Sequence, residues 1–149
     1  MEITMLQAKL QQITKDSPAE FGIMTPQHMV EHLILTFKLS QGKIPLPDKD
    51  PSPKALAAKQ AILYGNVDIP RGIRAPGLEE GQLLELRHSS LEESKSKLFE
   101  AIGQFHSYFE LNKDLKHQHP VFGKLDYQEW WLFHQKHFKH HFGQFGVVL

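Results

Sequence analysis

Apolar residues at Ile3, Leu6, Leu10 and Ile13 recur at helical spacing and predict a short first helix, closed before Asp16-Ser17-Pro18, where proline cannot continue a helix. Thr25-Pro26 then reads as an N-cap followed by proline at the first helical position. Met29, Val30, Leu33, Ile34 and Phe37 carry an apolar stripe from there to Gly42. Residues 43–53 hold four prolines and predict a loop, after which Ala55 to Tyr64 is rich in good helix formers and stops at Gly65. A second long loop is expected from Asn66 to Gly81. Ser90 caps a long helix through Leu91, Leu98, Phe99, Ile102, Phe105 and Phe109, and Asn112 to Lys124 reads as the last loop. Asp126, with Glu129 three residues on, forms a capping-box pattern for a final helix reaching Phe145, about 20 residues or roughly 30 Å long.

No segment alternates convincingly enough to predict a strand, and no internal repeat is present. The expected fold class is therefore all-α, with four principal helices bundled around one core. A chain of 149 residues fits one domain, residues 1–149, and buries about 68 to 70% of its unfolded surface. The loop from Asn66 to Gly81 carries Arg71 and Arg74, two of only three arginines. A loop of that length covers a site or simply crosses the surface between antiparallel helices, and the crossover is the expected reading.

Charge and composition narrow the partners. Lys and Arg number 17 against 17 Asp and Glu, so no basic footprint for nucleic acid or an anionic membrane is present. The N-terminal Met-Glu-Ile-Thr-Met lacks the basic and apolar regions of a signal peptide, and no apolar run approaches the roughly 18 residues of a membrane span. Cysteine is absent, which excludes disulfides, thiolate metal sites and a cysteine nucleophile. A cytoplasmic protein with neither nucleic acid nor membrane as partner is expected.

The chemistry lies in the histidines. Of ten in the chain, the densest run is His134-Gln-Lys-His137-Phe-Lys-His140-His141-Phe-Gly-Gln144 on the last helix. Trp130, His134, His137, His141, Gln144 and Phe145 share one broad face of it, while Lys136 and Lys139 point elsewhere. Imidazoles turned into an apolar bundle need hydrogen-bond partners or a cation, since an unpaired buried polar group costs roughly 1 to 3 kcal/mol. His137 and His141, four apart, aim at a common point. A third ligand is available on the second helix, where His32 sits inside the apolar stripe; His28, in the first turn, is the weaker candidate. Three neutral imidazoles leave coordination positions for water or an anion, the arrangement of a catalytic site, and no carboxylate or cysteine evidently closes it. His119 before Pro120 is expected to fix the last loop by a hydrogen bond, and Gln144 to orient a ligating histidine.

These residues carry a family resemblance. Met24-Thr-Pro-Gln-His-Met-Val-Glu-His32-Leu, His137-Phe-Lys-His-His141-Phe-Gly-Gln144 and His119-Pro-Val-Phe-Gly-Lys-Leu ahead of a tryptophan helix resemble the DinB-like superfamily of metal-binding four-helix bundles. The resemblance spans essentially the whole chain. It implies a four-helix bundle with short additional helices and long loops, and a divalent ion (Zn, Ni or Fe) held by His32, His137 and His141 with open positions facing a pocket. Some members resemble S-transferases or isomerases that use a low-molecular-weight thiol, which the absence of cysteine here permits.

Three functions remain open at this point. One is a metal-dependent enzyme, a hydrolase or thiol transferase acting on a small-molecule substrate; the second is a binding protein with the same metal and no turnover. The third is a helical interaction module with structural histidines that forms a homodimer through an exposed helix face.

Overall fold

A computed structural model describes residues 1–72 and 81–149. Among these the chain forms five helices and one two-stranded sheet: α1 (Ile3–Gln11), α2 (Pro26–Ser40), α3 (Pro53–Leu63), α4 (Leu91–Leu111), β1 (His117–His119), β2 (Gly123–Leu125) and α5 (Tyr127–Gly143). The fold is mostly helical, as the periodicity predicts. Thr25, Ser90 and Asp126 each cap their helix by accepting a backbone N–H, and Asp126 and Glu129 form the full capping box. Ser52 caps α3 in the same way, so that helix starts at Pro53, two residues earlier than its alanine-rich composition suggests.

Two expectations need correction. The segment Asn112 to Lys124 is not all loop: β1 and β2 pair antiparallel, with His117 opposite Leu125 and His119 opposite Gly123. Three-residue strands are too short to show alternation, and this hairpin is held by its turn rather than by strand propensity. Gly123 takes φ +80°, and a Cβ there would stand 3.0 Å from the Pro51 ring. The final helix stops at Gly143, short of Phe145, because Gly146 takes φ +77° and turns the chain away.

Helix α2 is the central element. It packs along α4 and also meets α5 and β1, while α3 lies against α5. Phe37 on α2 marks the middle of the core, its ring 5.5 Å from Phe105 of α4 and 5.7 Å from Phe138 of α5. Leu6, Leu10 and Ile13 add the N-terminal segment to this core, whereas Ile3 stays exposed. Trp130 is fully buried and Trp131 only partly so. No helix among the described residues is long and apolar enough to cross a membrane.

Candidate metal centre

Because α5 turns one face into the core, its histidines meet α2 at different depths, and each finds a different role. His134 is 1% exposed, stacks on Phe37 at 3.7 Å, and lies 3.0 Å through Nε2 from Ser40 Oγ. The Ser40 hydroxyl donates its only proton to the Phe37 carbonyl, so its oxygen accepts from His134 Nε2–H. That tautomer leaves no Nε2 lone pair, and His134 is a structural residue of the core.

One turn further along, His137 and His141 meet His32. His137 Nε2 lies 3.0 Å from His32 Nε2 and 3.0 Å from His141 Nε2, and ligand atoms of the three residues all fall within 4.8 Å of one another. A neutral imidazole nitrogen has either one proton or one lone pair, so His137 Nε2 can make one well-aimed hydrogen bond but not two. A cation at the shared point satisfies all three lone pairs together. Nitrogens about 2.0 to 2.1 Å from an ion stand about 2.8 to 3.4 Å apart at angles of about 90° to 109°, and the two spacings through His137 fall within that range. The three histidines could therefore hold a metal ion.

The electrostatics favour the ligating form. Burial lowers the pKa of His32 to about 4, with a smaller push from His140. Burial, then the neighbouring imidazoles, hold His137 well below the ordinary value; burial and His32 do the same for His141, against a weaker opposing hydrogen bond from Gln144. All three are neutral near pH 7, with lone pairs free for coordination. His141 Nδ1 lies 3.0 Å from Gln144 Oε1, so with Nε2 directed at the centre its Nδ1–H donates to that amide oxygen. This is the orienting contact expected for Gln144. His137 Nδ1 is buried with no hydrogen-bond partner among the described residues, and the His137 ring stacks on that of Phe133 with centroids 5.0 Å apart.

The other candidates separate cleanly. His28 Nδ1 lies 2.6 Å from Thr25 Oγ1 at the start of α2, and its ring borders the cavity without joining the triad. His119 Nδ1 accepts the backbone N–H groups of Val121 and Phe122 at 3.0 and 3.1 Å, which closes the β1–β2 turn and gives the loop-fixing role expected of it. Lys136 and Lys139 point outward, both to Asp68.

Two of the triad, His32 and His141, border a cavity of about 710 Å³ lined by α2, residues 21–24, Arg71 and Gly72, residues 81–88 and the end of α5. Both described ends of the arginine-bearing loop thus border the site; Arg74 lies outside the described residues. One contributor escaped the sequence reading. Glu31 is a buried carboxylate beside His32, but its oxygens accept from Arg87 N–H at 2.6 Å, from Ser94 Oγ at 3.1 Å and from Gln27, which ties residues 87–88 to α2. Burial raises its pKa and these donors outweigh that, leaving it lowered and the carboxylate charged. The signal for it was an acid inside an apolar stripe. His140, adjacent to His141, lines the cavity without ligating. No protein-family model, curated protein or solved structure matches the chain.

Proposed function

We propose that this chain is a metal-binding helical bundle of DinB-like type, in which His32, His137 and His141 hold one divalent ion with its remaining positions open to the cavity. The observation that carries this reading is the approach of two neutral imidazoles, His32 and His141, to His137 Nε2 at 3.0 Å each, where that one nitrogen can make only one well-aimed hydrogen bond. An all-nitrogen site of this kind suits Zn, Ni or Fe. Bound there, the ion would act as a Lewis acid that lowers the pKa of a water or an incoming thiol. The reading extends to a metal-dependent enzyme, hydrolase or thiol transferase, acting on a small molecule. What supports enzyme over structural site is the incomplete ligand set beside a cavity of substrate size.

Element analysis of tag-free protein should find about one metal per chain, and anomalous scattering should place it between α2 and α5. His137→Ala should abolish uptake. Protein that stays metal-free after loading with Zn, Ni and Fe, with melting unchanged by the metals, would overturn the proposal. Turnover of thiol-addition or hydrolysis substrates separates the enzyme from a pure binder.

A further inference from the structure

The cavity's chemistry is uneven in a way the triad does not require. Arg71 lies 4.0 Å above the ring of Phe21, Phe21 is 5.4 Å from the ring of His140, and His140 is 4.8 Å from His141. A guanidinium is thereby held on the cavity wall, linked to His141 through the rings of Phe21 and His140. Arg71 and Lys38, which also lines the cavity, have no carboxylate partner among the described residues. Glu31 is ionised, but neither cation pairs with it: its oxygens accept from the Arg87 and His88 backbone N–H groups and from Ser94 Oγ. The rest of the lining mixes polar groups, Glu85 and Gln82 among them, with apolar side chains. Ile23, Leu84 and Leu86 keep 54%, 46% and 39% of their surface exposed, and all three border this one cavity. Large apolar side chains left open around a concave, partly polar pocket mark a ligand site rather than ordinary surface.

We propose that the cavity binds a small amphipathic anion, its acidic group between the histidine centre and Arg71 and its apolar part along Ile23, Leu84 and Leu86. This deepens the metal-centre reading and rests on it for one end of the ligand; the Arg71 end stands separately. Guanidinium pairs a carboxylate through two parallel N–H donors, so an acid is preferred to an alcohol of the same length, and an amine is repelled.

Octanoate, octanol and octylamine are suitable probes, titrated calorimetrically into the full chain with metal loaded and after chelation. Octanoate should bind at least tenfold more tightly than octylamine in both forms. Arg71→Gln, at an exposed position with no side-chain hydrogen bond among the described residues, should weaken octanoate at least fivefold in both forms while leaving thermal melting unchanged. Leu84→Ser should weaken octanoate and octanol alike. Equal binding of octanoate and octylamine, or octanoate affinity unchanged by Arg71→Gln, overturns the proposal. Protein that loads metal yet ignores octanoate also overturns it and leaves the metal centre standing. Protein that takes no metal but binds octanoate through Arg71 refutes the metal centre and upholds the anion site.

Discussion

Acidifying the metal-free protein should unfold it in a way that His119 controls, and replacing that residue by asparagine should flatten the response. His119 is 5% exposed, and its unprotonated Nδ1 receives the two N–H groups that close the β-hairpin. A proton on Nδ1 would both bury a charge and remove the acceptor. Burial, and then the charge of Lys59, lower its pKa to about 3, against 6.5 in the unfolded chain. The stability tied to its neutral form is fully present above pH 6.5 and is lost as pH falls from there toward about 3. At about 1.4 kcal/mol per pH unit the whole gap corresponds to about 5 kcal/mol, with about 2 kcal/mol already gone at pH 5. That is a large fraction of the roughly 5 to 15 kcal/mol that holds an ordinary domain. Burial acts in the same direction on His134, His137 and His141, so the wild-type protein should take up several protons on unfolding. An asparagine side chain in its place would keep an oxygen near the Nδ1 position as acceptor but cannot titrate. It gives up the ring stacked on Phe122 at 4.5 Å, a cost of about 1 to 2 kcal/mol at neutral pH. Urea unfolding in chelator at a series of pH values between about 7 and 5 should therefore show His119→Asn starting less stable and converging on the wild type, its slope smaller by about one proton. Parallel curves for the two proteins would refute the assignment.

Other perturbations test the remaining parts of the site. Gln144→Leu removes the acceptor of His141 Nδ1–H and should lower metal affinity about 10- to 100-fold in competition with a chelator. His134→Ala should cost roughly 2 to 4 kcal/mol in chemical denaturation, through the lost stack on Phe37 and the lost bond to Ser40, while metal stoichiometry stays unchanged. Glu31→Ala leaves Arg87 N–H without its 2.6 Å acceptor and should destabilise by about 2 to 3 kcal/mol, with faster amide exchange at Arg87 and His88.

Much of this was written in the chain, for identifiable reasons. Helix α5 declared itself through both its cap and its inward face, and i, i+4 spacing made His137 and His141 a pair without any tertiary information. His32 was legible because an imidazole inside an apolar stripe needs a partner. The depth at which each α5 histidine meets α2 was not legible: His134 and His137 have the same sequence-level burial, and only the position of Ser40 gives the former a hydrogen bond and the latter the shared centre. The hairpin was hidden for a similar reason, since its turn depends on the acceptor His119 rather than on any alternation of residue type. Glu31 was likewise obscured, because its donors come from residues 87, 88 and 94, far along the chain.

The three centre residues differ in when they can meet during folding. His137 and His141 become neighbours as soon as one turn of α5 exists, whereas His32 is separated from His137 by 105 positions and arrives only when α2 docks. An ion present during synthesis can therefore clip a turn of α5 early with two nitrogens, and then close a loop spanning most of the chain when the third is added. The same atoms would serve first as a local brace and later as a lock on the tertiary fold.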